Sequence, residues 1–139
     1  MAAFNKFEQF SEDLSEGVHN LNTDTIRAYL SNAAPSASAD AVKADLAEIS
    51  AGNGYTAGGP DMQNGTSRTG GVTSVTGVDA TITASGGSIG PFRYVVFYND
   101  TPTSPADPLI GWVDYGSSIT LADGESFDID VGTSLFTVT

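Results

Sequence analysis

The chain has 139 residues, no cysteine, and 17 acidic against 5 basic side chains, a formal net charge of −12 at pH 7. That length suits one domain with a real core and excludes two, and the charge excludes a nucleic-acid partner, because phosphate binding needs clustered Lys and Arg. Without thiols there is no disulfide and no Cys-based nucleophile or metal ligand, and no run approaches the ~18 apolar residues of a membrane-spanning helix, so no membrane partner is expected.

Residues 1–10 are polar and amphipathic, unlike a secretory signal with its basic start and long apolar run. Phe4, Phe7, Ser11 and Leu14 recur at three- and four-residue steps with Phe10 beside them, while Glu8, Glu12, Asp13 and Glu16 fall elsewhere. This pattern predicts an amphipathic helix over 1–17, stopped by Gly17. Its apolar face either packs on the chain's own sheet or docks on a neighbouring subunit. Asp24 to Leu30 alternates and predicts a strand with Ile26, Ala28 and Leu30 inward. After the candidate caps Ser36, Ser38 and Asp40, the spacing of Val42, Leu46 and Ile49 predicts a short helix over 40–50.

Residues 51–71, AGNGYTAGGPDMQNGTSRTGG, predict a Gly-rich loop whose only large apolar anchors are Tyr55 and Met62. Ordering such a loop costs considerable entropy unless something packs on it, so it is expected to be mobile in the free monomer and to lie along a neighbour in an assembly. From residue 72 to 139 short β-branched and aromatic runs alternate with turn residues. The strands are Val72–Val75, Val78–Ala84, Phe92–Tyr98, Leu109–Asp114, Ser118–Leu121, Ser126–Asp130 and Leu135–Val138, with Phe92–Tyr98 central and a proline-rich loop over 99–108. The fold class is therefore mainly β: one antiparallel β-sandwich or jelly-roll-like domain with a short N-terminal α-helix.

No constellation points to catalysis, a cofactor or a resident metal, and the chain reads as a non-enzyme. His19 is the only histidine and has no partner for a triad or a metal cluster nearby in sequence. Asp123, Glu125, Asp128 and Asp130 are hard oxygen ligands close together, but they lack EF-hand spacing and read better as a turn and a strand's outward positions. GNGYTAGG at 52–59 lacks the Lys-Ser/Thr ending of a phosphate loop. Tyr94, Tyr98, Trp112 and Tyr115 could form a sugar platform, though in strands this apolar they suit a core or interface.

GSIGPFRYVVFYND at 87–100, DPLIGWVDYGSSITLADGESFDID at 107–130, FNKFEQFSEDLSEGVHNLNTDTIRAYLSNAAP at 4–35 and EISAGNGYTAGG at 48–59 carry a resemblance. The chain resembles a group of small structural proteins of tailed-bacteriophage virions. The resemblance implies a place on the capsid surface as a decoration or cement protein, with the major capsid protein as partner and a homotrimer as the assembled form. On that expectation Phe4, Phe7, Phe10, Leu14, Tyr55 and Met62 supply the interface, and removing residues 1–16 abolishes shell binding while the β domain stays folded. The rival expectations are a tail or head-fibre module binding a host glycan, and a tail-tube or connector component.

Overall fold

The computed structural model describes residues 3–139, and its strands pair antiparallel throughout. In chain order they are β1 (Phe4–Lys6), the helix α1 (Glu8–Ser15), β2 (Ile26–Ser31), β3 (Gly65–Thr69), β4 (Val72–Thr76), β5 (Ala80–Thr83), β6 (Ile89–Asn99), β7 (Leu109–Leu121), β8 (Ser126–Ile129) and β9 (Phe136–Val138). One four-stranded sheet runs β1-β7-β6-β2, a three-stranded sheet runs β3-β4-β9, and β5 pairs with β8. The molecule is thus mainly β with one short helix, and the smaller sheets share a core with one face of the large one, which gives a sandwich-like arrangement.

Alternation along the central strands builds two cores. Ile26, Ala28 and Leu30 of β2, Val95 and Phe97 of β6, and Val113 of β7 enter the larger core with Val75, Ile82, Ile129 and Leu135 of the facing sheets and segments. Tyr29, Tyr94, Val96, Tyr98 and Leu109 point the other way and bury a second cluster with Phe7 and Leu46. Because both faces of β6 are covered, its predicted central position follows: nearly every residue from Phe92 to Asn99 is buried. Each fully buried Leu, Ile or Phe contributes about 1.5–3 kcal/mol, so the second cluster is a substantial part of the stability.

Four sequence expectations are corrected. The helix predicted over 1–17 is instead a strand and a two-turn helix: Phe4–Lys6 pairs with Gly111–Val113, and α1 covers only Glu8–Ser15. Met1 and Ala2 lie outside the described residues. The ladder captures residues 4–6 because Gly111 leaves a gap for the Phe4 ring; a methyl built on Gly111 would overlap that ring and crowd the Asn5 carbonyl. The phenylalanines therefore share no helical face.

The helix predicted over 40–50 shrinks to one 3-10 turn, Lys43–Asp45. Its backbone is claimed by residues 107–109, through Lys43 N–H to the Asp107 carbonyl at 2.9 Å and Leu109 N–H to the Ala41 carbonyl at 3.0 Å. The Asp45 carboxylate accepts from the Ala41 and Val42 N–H groups, which lowers its pKa, burial being a minor opposing effect. The two strands predicted over 109–114 and 118–121 are one long irregular strand, β7, bent where Gly116 has φ +86°.

Residues 51–71 are not one loop. Gly65–Thr69 pairs with Val72–Thr76, and Gly70, at φ +59°, supplies the positive φ that a two-residue hairpin turn needs at its first position. Residues 59–62 lie along the outer edge of β2, with Ala28 N–H bonded to the Pro60 carbonyl at 3.1 Å and Met62 N–H to the Ile26 carbonyl at 2.9 Å. An uncovered β2 would present free donors and acceptors for unwanted pairing, and this segment occupies them.

Candidate functional site

The Gly-rich segment is held down by a polar cluster built around Glu48. Its carboxylate accepts from Lys43 Nζ at 2.8 Å, from the Tyr55 hydroxyl at 2.6 Å and from the Gly58 N–H at 2.7 Å. The Tyr55 hydroxyl in turn accepts from the Leu30 N–H at 3.0 Å, and the Tyr98 hydroxyl donates to the Gly58 carbonyl at 2.8 Å. Lys43 Nζ sits 4.9 Å from the Tyr29 ring centroid, a cation–π contact. Burial alone would push the Glu48 carboxyl up, but the Lys43, Tyr55 and Gly58 donors outweigh it and the net shift is downward. Burial, with the Glu48 charge beside it, pushes the Tyr55 phenol up, so it stays a neutral donor. Every charged group in this cluster is partnered within the chain, which makes it a clamp.

The six predicted interface residues separate into two groups. Phe7 and Met62 are fully buried, and Phe10 and Tyr55 are each 3% exposed, so all four are core side chains with almost no surface to offer a partner. Phe7 packs against Trp112 at 4.7 Å between ring centroids, and Phe10 meets Phe136 edge-on at 5.7 Å. Deleting residues 1–16 would remove these core side chains and the strand beside β7, which corrects the expectation that the β domain survives the truncation. Only Phe4 and Leu14 remain partly accessible.

Those two line a groove of about 410 Å³ between β1, α1 and β9, joined by Phe10, Phe136 and Val138. Phe4 stacks on Phe136 at 4.9 Å and 17°, closing its floor. β1 and β9 each stand at the end of their sheets, so both strands bring an unpaired edge. Sequence reasoning missed Phe136 and Val138. They read as ordinary strand residues, and only the packing of β9 near β1 makes them groove-forming.

His19 is buried beside the Phe10 ring, 5.1 Å between centroids. The hydrogen-bond pattern sets its protonation. Asn99 Oδ1 accepts from the Thr101 N–H at 3.1 Å, so the Asn99 amide must donate, to Asp24 at 2.8 Å and to His19 Nδ1 at 3.0 Å. Nδ1 is therefore an acceptor and the ring is neutral, with its proton on Nε2. Burial lowers the His19 pKa, outweighing the attraction of Asp13 and Asp24. The stability contributed by neutral His19 is fully present above the ordinary imidazole value of about 6.5 and is lost as pH falls toward the lowered folded value, because the unfolded chain takes up the proton first. The urea midpoint of the natural chain should drop between pH about 7.5 and about 5.5, while His19→Gln should show a smaller drop. Equal drops would refute the assignment.

The acidic set does not gather. Asp123 accepts from the Gly86 N–H, Glu125 from the Ala122 N–H, Asp128 from the Thr81 hydroxyl and Asp130 from the Gly132 N–H. Each carboxylate secures its own turn or strand pair, and no group of three or more metal-ligating side chains occurs among the described residues. The aromatics form no shared platform: Tyr94 and Tyr98 are buried, while Trp112 packs on the second cluster and Tyr115 on the first, on opposite faces of the sheet. Three of the five cations are paired, Arg27 with Asp100, Lys43 with Glu48 and Arg93 with Asp114. Most carboxylates thus lack a counter-charge, and the outward field is strongly negative.

Set against family models, curated proteins and solved structures, the chain matches none.

Proposed function

We propose that this chain is a structural protein of a tailed-bacteriophage virion, a decoration or cement protein that binds the outer surface of the head, as a homotrimer, and strengthens the shell through the major capsid protein. The observation that carries the reading is the resemblance over residues 4–35, 48–59, 87–100 and 107–130. The architecture suits the role: both faces of the large sheet are packed, and the long Gly-rich segment is clamped through Glu48 and Tyr55. A part whose task is to hold other subunits together needs that rigidity.

The test is the number of copies per purified parent particle, measured by quantitative mass spectrometry against the major capsid protein. On the order of hundreds are expected for a protein that follows the shell lattice. A few to a few dozen would move the chain to the tail or a fibre, and none would remove it from the virion.

A further inference from the structure

We propose that His19 is an acid-operated latch: on protonation its ring exchanges Asn99 for the carboxylates of Asp13 and Asp24, and the turn at 19–24 comes away from the end of β6 while the sheets stay folded.

Hydrogen bonds fix the closed state. The fully buried Asn99 side chain ties the turn to β6 by donating to both His19 Nδ1 and Asp24. The same Asp24 carboxylate closes the turn on itself by accepting from the Asn20 N–H at 2.8 Å, and Asn99 Oδ1 is occupied by the Thr101 N–H. Asn99 therefore cannot turn its amide over to accept. An imidazolium carries a proton on each ring nitrogen. Its new Nδ1–H would face the Asn99 amide, donor against donor across 3.0 Å, between two buried side chains.

The other side of the ring holds the acceptor that the charged form takes. His19 Nε2 and Asp13 Oδ2 are both buried, and among the described residues neither has a hydrogen-bond partner. Asp13 is 4% exposed, and its other oxygen accepts from Gln9 at 3.1 Å. An orphaned carboxylate oxygen is costly beside a neutral ring and becomes a strong acceptor beside a charged one. Asp13 of α1 and Asp24 of the turn are the charged groups that bear on the ring. From the other elements the ring meets the Asn99 amide of β6, the Phe10 ring, and a wall of Thr66, Thr73 and Val138 from β3, β4 and β9, none of which titrates. Protonation thus offers two acceptors and displaces one donor.

His19 is the only histidine, so its ring signals in long-range proton–nitrogen correlation spectra are unambiguous. The experiment follows those signals, together with amide exchange along the chain, from pH about 7.5 to about 5, a range that spans the ordinary imidazole value. The expected result at the upper end is the Nε2–H tautomer. Below about 6.5 and down to the lowered folded value, protection at Asn20 and Thr101 should fall about ten-fold per pH unit, while Val95 and Val96 in the middle of β6 keep theirs. In Asp13→Asn the fall should shrink by about three-fold or more, because the charged ring loses one of its two acceptor charges. In His19→Gln it should vanish.

An Nδ1–H tautomer at neutral pH would overturn the closed state. Equal loss of protection at Thr101 and Val96 would mean that acid unfolds the whole chain and that no latch exists. An undiminished fall in folded Asp13→Asn would remove Asp13 from the switch. Should either variant fail to fold, the tautomer of the natural chain and the contrast between Thr101 and Val96 decide the matter.

Discussion

Gly59→Ala should lower the unfolding free energy by about 3 kcal/mol or more, among the largest losses any single methyl would cause in this chain. Gly59 has φ +74°, and a methyl there would fall inside the Ala28 carbonyl oxygen and against the Tyr29 Cα. Both obstacles are backbone of β2, which cannot rotate aside, so residues 59–62 would have to leave the edge they cover. That departure breaks the pairing of Pro60 and Met62 with β2 and draws Met62 out of the core. Gly132 makes the control: its φ is +67°, yet nothing lies within 4 Å of an added methyl. Gly132→Ala should cost only the left-handed backbone penalty, about 1–2 kcal/mol. Urea unfolding followed by Trp112 fluorescence compares the two, and equal losses would show that the contact with β2 contributes nothing.

The second large effect centres on Glu48. Glu48→Ala leaves three donors without their acceptor and an ammonium without its counter-ion, in a cluster where the Glu48 side chain is 15% and the Lys43 side chain 23% exposed. Removing one partner of a largely buried pair is costly because the remaining charge stays desolvated, and allowing for the partial exposure the loss should be about 2–3 kcal/mol. The damage should be local as well. Hydrogen exchange should rise at Leu30 and Gly58, whose N–H groups the cluster holds. Unchanged protection there would mean that the segment is anchored by Tyr55 packing alone.

The same group gives an acid signature. Its folded pKa lies below the ordinary glutamate value, so its stabilisation is present above that value, about 4.3, and is lost as pH falls through the lowered folded one. Glu48→Gln should be less stable near neutral pH and should lose less on acidification. The window lies below that of His19, so the two contributions separate along a pH series.

Phe4 reaches the groove floor only because β1 is paired to β7 over Gly111, and Phe136 only because β9 is paired to β4. A groove assembled from two sheet edges keeps its shape only if both sheets hold their places. Core substitutions would therefore deform the groove indirectly.

Fold class was legible from local pattern. Alternation placed Ile26, Ala28 and Leu30 inward, and the apolar run at 92–98 is long enough to be covered on both faces, as it is. Turn chemistry was legible where it was local: the Gly70-Gly71 pair is a hairpin signal in its own right, masked by the polar residues around it. The first helix was legible only in part. Phe4, Phe7, Phe10 and Leu14 have helical spacing, but the register of residues 4–6 against β7 depends on Gly111, more than a hundred positions away. Helical propensity over 40–50 lost in the same way to pairing with 107–109.

What the sequence by itself determined is a mainly β fold in an acidic chain free of thiols, because composition and two-residue alternation are properties of short stretches. Tertiary structure alone decided that Phe7, Phe10, Tyr55 and Met62 are core, that the Gly-rich segment covers a strand edge, and that Phe4 and Leu14 meet Phe136 and Val138 in one groove. Each of these depends on contacts between residues far apart in the chain. Burial and strand edges are settled by what the rest of the chain places beside a residue, and no periodicity in its own neighbourhood encodes that.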